Sequence, residues 1–172
     1  CGKYFQGRGK TSHAYFHSID QDHHVYINLQ SLKIYILPNG YEVVNPSLDN
    51  IKYVANPLYT KAQVASLDKL AENSYDLFHN AYRPGFIGMN NIKENDYANV
   101  VVQALAHTTP LRNFLMLENL SERPELVKRL SLLVRKIWNR KAFKPHVSPH
   151  ELLQHVSQMS NKRFSSTVQK DP

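Results

Sequence analysis

The chain has 172 residues, 42 % of them hydrophobic, and a formal net charge of +7. That is enough apolar material for one domain or two small ones, which excludes wholesale disorder, and no run of about 18 apolar residues offers a membrane span. Cys1 is the only cysteine, which excludes an internal disulfide and favours a reducing compartment, cytosol or nucleus.

The start, "CGKYFQGRGKTSH", is polar and lacks the apolar segment of a signal peptide. A first residue of Cys1 in place of methionine is expected of a fragment. Cys1, His13, His17, His23 and His24 then gather at the head of the chain. Zinc prefers thiolate and imidazole ligands in a tetrahedral set, and a small sheet with little core gains stability from such a metal. The same side chains also fit an exposed polar loop.

Residues 24–37 alternate as strands do, in "HVYINL" and "LKIYIL". "PNG" at 38–40 predicts a hairpin with Asn39 and Gly40 at positive φ, and "YEVV" is the return strand. "SLDNIKYV" predicts a short helix ending before Pro57. Thr60 and Gln63 form a capping box for a helix reaching about Leu70. "ENSYDLFHNAYRPG" has turn and aromatic residues without a period, and residues 56–84 together read as a connector with short helices.

Beyond Gly85 the pattern turns helical. Asn95 or Asp96 caps a helix whose apolar residues run from Val100 to Leu105. "RPELVKRLSLLVRKIW" places Leu126, Leu130, Leu133 and Ile137 on one stripe, with Lys128, Arg129, Arg135 and Lys136 largely off it. Trp138 is assigned to the core, because stacking platforms are exposed and interleaved with arginine. Ser148, Pro149 and Glu151 are expected as N-cap, N1 and N3 of a third helix, "PHELLQHVSQM". The final residues close no core, so the second domain is expected to be cut short. Residues 123–144 hold eight basic side chains and one acid, so the net charge of the whole chain is concentrated there. Such a local patch points to an acidic or nucleic-acid neighbour, or to the solvated face of an amphipathic helix.

"CGKYFQGRG", "SHAYFHS" and "HHVYINL", within residues 1–45, resemble the UBP-type zinc finger that precedes the catalytic domain of some ubiquitin-specific proteases. The resemblance implies one structural zinc held by Cys1, His17 and His23, with a cysteine ahead of Cys1 as fourth ligand and His13 as a structural histidine. It also implies a site for the carboxylate tail of ubiquitin built on an arginine and an aromatic wall. Arg8 matches the arginine, but Tyr35 replaces the usual tryptophan and argues against tail binding.

"GFIGMNNIKENDYANVVVQAL", residues 85–105, resembles the cysteine box of the same proteases through Gly88, Met89, Asn91, Tyr97, Asn99 and Gln103. In that register Asn91 takes the oxyanion-stabilising position and Asp96 takes the place of the nucleophilic cysteine. A carboxylate suits a helix start but is a feeble nucleophile towards an amide, so Asp96 reads as a plain cap. A finger joined to a cysteine-less box, with "PLRNF" and "FKPHVSPHELLQ" further on, resembles the inactive protease-like splicing factors of the U4/U6-U5 tri-snRNP. What this implies is an α+β chain: a zinc finger over 1–55, then the helical start of a papain-like ubiquitin-protease fold over 85–172. The implied function is a nuclear, non-catalytic scaffold with snRNP proteins, and snRNA phosphates through Lys128, Arg129, Arg135 and Lys136, as partners. The alternatives are an active deubiquitinase and a ubiquitin receptor.

Overall fold

The computed structural model describes residues 3–69 and 72–165. It mixes helices with short strands, and the chain divides into two compact units, Cys1–Ala55 and Asn56–Pro172.

In the first unit, helix α1 (His13–Asp20) occupies much of what the sequence reads as a histidine-rich loop. Ser12 starts it, accepting a hydrogen bond from the Tyr15 amide at 3.2 Å through its hydroxyl. His13 and His17 therefore lie one helical turn apart. Strands β1 (Val25–Ile27), β2 (Ile34–Ile36) and β3 (Tyr41–Val43) form an antiparallel sheet in that order, with Tyr26 opposite Tyr35 and Tyr35 opposite Glu42. At the β2–β3 turn Gly40 has φ +81° and its amide donates to the Ile36 carbonyl at 2.6 Å. Asn39, expected to share the positive φ, does not; one left-handed residue without a Cβ suffices to reverse the chain. Helix α2 (Asp49–Ala55) ends the unit as expected. Its buried apolar side chains among the described residues are Ala14, Ile34 and Leu37. So small a core is a weak source of stability for a three-stranded sheet.

The second unit opens on the predicted capping box: Thr60 Oγ1 accepts from the Gln63 amide at 3.3 Å, and Gln63 Oε1 from the Thr60 amide at 2.8 Å. Helix α3 (Lys61–Ser66) stops short of Leu70. The stretch expected as a connector belongs to this unit's core, because Val64, Leu67 and Tyr82 are buried there. It also holds a hairpin of β4 (Ser74–Tyr75) and β5 (Ala81–Tyr82). Asp76 organises that turn, its carboxylate accepting from the Phe78 and Asn80 amides, both at 2.8 Å, and from Asn80 Nδ2 at 3.0 Å.

Strand β6 (Gly88–Met89) pairs in parallel with β7 (His146–Val147), tying the loop before helix α4 (Asp96–His107) to the segment before helix α7 (His150–Met159). Between them lie α5 (Thr109–Leu117), which the sequence does not announce, and α6 (Glu125–Ile137). Helix α5 packs on α3, α4 and α6, burying Leu115 and Met116. The assignment of Trp138 to the core holds: its Nε1 donates to the Ala106 carbonyl at 3.0 Å, and the ring stacks under the Arg112 guanidinium at 4.6 Å. Gly85, at φ +87°, lies so near that a Cβ there would come within 2.8 Å of the indole. Arg112 is only 1 % exposed and is neutralised by a bidentate pair with Asp68, both bonds at 2.7 Å. No helix of the described residues is long and apolar enough to cross a membrane.

Candidate functional site

In the first unit α1 and the loop before β1 bring two of the expected ligands together. His17 Nε2 and His23 Nδ1 face each other at 3.1 Å. A tetrahedral ion with metal–nitrogen bonds of about 2.0–2.1 Å holds its nitrogens about 3.3 Å apart, so the pair is close to ligating geometry. Partial burial, then the charges of Lys3 and His23, push His17 below the usual imidazole range, which favours the neutral, metal-binding ring. The ring of His17 also packs on Phe5 at 4.9 Å, which fixes its plane. Cys1 lies outside the described residues, so they alone gather no group of three ligands. His13 is exposed and His24 is engaged elsewhere, its ring nitrogens 2.8 Å from the Leu37 carbonyl and 2.7 Å from Asp22. Two imidazole nitrogens so placed are donors of the kind zinc takes.

On the same unit Arg8 and Tyr35 meet. The guanidinium lies 4.0 Å over the ring and donates to the Gly40 carbonyl at 3.2 Å. Arginine and aromatic wall are thus stacked on each other.

In the second unit the loop of residues 88–95 is held by a fully buried Asn95. Its Oδ1 accepts from the Ile92 amide at 2.6 Å, and its Nδ2 donates to the Asn90 carbonyl at 3.2 Å and to Asn99 Oδ1 at 3.0 Å. Asn99 Nδ2 reaches the same Asn90 carbonyl at 3.3 Å. Gln103 Nε2 donates to the Ile87 carbonyl at 3.0 Å, so three side chains of α4 and its cap grip the loop. Asn91 is exposed and its Oδ1 accepts from the Asn95 amide at 3.1 Å, which leaves its amide nitrogen as the end able to donate to a ligand.

Asp96 is not the cap. Asn95 occupies that position, and Asp96 is the first helical residue, exposed, with its charge at the positive end of the α4 dipole. Asn95 displaces it because a buried amide can both donate and accept, which a carboxylate cannot.

The four basic residues of α6 do not form one open face. All are half-buried. Arg129 pairs with Glu125 at 2.8 Å and donates to the Glu151 carbonyl at 2.8 Å. Arg135 donates to the carbonyls of Leu115 at 3.1 Å and Glu118 at 3.4 Å, capping the end of α5. Burial pushes Lys136 below the ordinary lysine range, partly offset by the charge of Glu151. An amphipathic stripe marks which residues face the core, but a long basic side chain flanking it also covers neighbouring backbone.

Comparison with known proteins agrees with this architecture. Residues 1–48 match the family model described as a zinc finger in ubiquitin-hydrolases and other proteins, and residues 87–172 match that of ubiquitin carboxyl-terminal hydrolase. The chain is 54 % identical over 172 residues to "Probable mRNA-splicing protein ubp10" of Schizosaccharomyces pombe, covering 100 % of this chain and 34 % of that protein. It is 51 % identical over 180 residues to ubiquitin carboxyl-terminal hydrolase 39 of Homo sapiens, covering 99 % and 32 %. A solved structure described as an essential yeast splicing factor superposes with a TM-score of 0.80 at 36 % identity, over 94 % of this chain and 41 % of that one. The chain spans about a third of the length of the curated relatives it matches. With residues 1–48 in the zinc-finger model and half its length within the enzyme-family model, the chain belongs to the ubiquitin carboxyl-terminal hydrolase family.

Proposed function

We propose that the chain is part of a non-catalytic assembly factor of the spliceosomal U4/U6-U5 tri-snRNP, acting in the nucleus to support pre-mRNA splicing. The observation that carries this reading is Asp96 on the first turn of α4, which the register of the resemblance puts where the proteases have their nucleophilic cysteine. A helix N-terminus lowers the pKa of a cysteine and yields a reactive thiolate. A carboxylate in the same field is merely stabilised. Its attack on an isopeptide gives a mixed anhydride, higher in energy than the amide it came from. Lys93 and Glu94, both exposed, add charge where the proteases carry a glycine-bearing loop. The relatives, which include a probable mRNA-splicing protein and an essential yeast splicing factor, supply the process.

In this reading the finger is a structural element, with one zinc held by Cys1, His17 and His23 and a further cysteine, and His13 outside the set. The stacked Arg8 and Tyr35 disfavour capture of a free ubiquitin tail, because the guanidinium already has a ring and a carbonyl. Of the α6 basic residues, Lys128 is the one left to attract phosphate, since Arg129 and Arg135 serve the fold.

The test is an electrophilic ubiquitin probe together with an isopeptide-linked di-ubiquitin substrate. The expected result is no adduct and no cleavage. Cleavage abolished by Asp96→Ala, or an adduct on the chain, identifies a hydrolase and removes this reading.

A further inference from the structure

The β4–β5 hairpin and the loop after it carry aromatic side chains at the surface. Tyr75 is 63 % exposed, Phe78 at the turn 75 % and Phe86 60 %. Across the ladder Tyr75 sits opposite Ala81, both exposed, while Tyr82 is buried beside them; Arg83, next in the alternation, is exposed again. Its guanidinium lies 4.5 Å over the Phe86 ring, which also packs on His107 at 5.0 Å and Trp138 at 6.4 Å and so holds the arginine in place. Aromatic and cation are therefore interleaved along one exposed ribbon.

This display is preorganised. Asp76 holds the turn with three hydrogen bonds, which fix the backbone that carries Phe78. The hairpin is bolted to residues 139–143: the Tyr82 hydroxyl donates to the Asn139 carbonyl at 3.0 Å and accepts from the Ala142 amide at 2.8 Å, and the Leu77 amide donates to the Phe143 carbonyl at 3.3 Å. Arg140 and Lys141 lie in that bolted segment, and Lys144 follows it directly. The local acids are already engaged, Asp76 in its turn and Glu72 with Arg140 at 3.8 Å. The ribbon is therefore a row of exposed rings beside a net positive rim.

We infer that this ribbon is a binding surface for single-stranded RNA, with bases stacking on Tyr75 and Phe78 and phosphates drawn by Arg83 and Lys144. Exposed rings spaced by cations suit successive base faces, which any sequence offers, and the preset backbone lowers the cost of ordering. A duplex hides its base faces and gains nothing from them. The choice of RNA over an acidic polypeptide rests on the ribonucleoprotein reading above. The surface lies apart from α6, where the charge pattern of the sequence alone points.

The test is fluorescence anisotropy of the 172-residue chain with labelled single-stranded oligouridylate and oligoadenylate of about 12 nucleotides, within the span such modules cover. Duplex RNA and polyglutamate are the competitors. Single strands should bind, with affinity falling with salt and duplex competing poorly. Tyr75→Ala should weaken binding about tenfold, Tyr75→Trp should restore it, and Arg83→Gln should reduce the salt slope by about 0.7. Thermal melts should be unchanged for all three, since both positions are exposed. No binding, equal competition by duplex or polyglutamate, or variants that bind like the parent would each overturn the inference. Particle association is read separately by gradient sedimentation. Variants that lose RNA yet still co-sediment leave the splicing reading intact, and loss of both activities in the parent chain removes both.

Discussion

Asn95 shows what a sequence gives and withholds at the scale of one residue. As one of two adjacent candidates to start a helix it is legible, because Asn and Asp share that preference. That its side chain is buried and binds the loop behind it is not legible, since its partners are mainly backbone groups whose approach depends on the β6–β7 pairing. Asn95→Ala takes the partner from the Ile92 amide and from Asn99 Oδ1 and removes one of the donors to the Asn90 carbonyl. A loss of about 1–3 kcal/mol is expected, read as a lower urea midpoint at constant m-value. A midpoint equal to the parent's would show that the loop is not held this way. The pairing of His17 with His23 was readable only through the family resemblance, because scattered histidines carry no period. The helix that presents one of them was missed, for its apolar residues Phe16 and Ile19 face outwards at 51 % and 56 % exposure.

At the scale of elements, strong local chemistry was readable and tertiary packing was not. The capping box of α3 and the stripe of α6 follow from short-range rules, whereas α7 starts at His150 after Pro149, one residue beyond the cap expected at Ser148 and without a side-chain cap. Helix α5 escaped because "TPLRNFLML" has no wide apolar face; its centre is Arg112, buried and made tolerable by Asp68 beyond the end of α3. Burying a charge needs a partner that a local window does not contain. The hydrogen bonds from Arg112 hold the Asp68 carboxyl below its usual range, with burial acting the other way. A depressed carboxylate pKa stabilises the fold above the unfolded-state value, about 3.9, and the benefit disappears as pH falls through the folded value. Asp68→Asn should therefore cost about 1–2 kcal/mol at pH 7, less than a fully buried pair because the Asp68 side chain is 55 % exposed. The difference from the parent should shrink towards zero as pH drops below about 3.9. A pH-independent difference in denaturant midpoints would assign the effect to packing and not to charge.

At the scale of the whole molecule two compact units carry different sources of stability. The unit Asn56–Pro172 has the continuous core around Leu115, Val134 and Ile137, whereas Cys1–Ala55 buries few apolar side chains. Chelation is therefore expected to unfold the first unit alone, as a partial loss of circular dichroism with the Trp138 fluorescence of the second unit unchanged. His17→Ala and His23→Ala should release the zinc measured by elemental analysis, and His13→Ala should retain it. Retention by all three variants would remove the proposed ligand set. The proposed role depends on surfaces and not on bond cleavage. A splicing extract depleted of this protein and supplied again with the Asp96→Ala variant measures that most directly. The account predicts that the variant restores both splicing and tri-snRNP assembly to the level of the parent. Failure of Asp96→Ala to restore them, alongside a folded protein and loss of ubiquitin release, would contradict it.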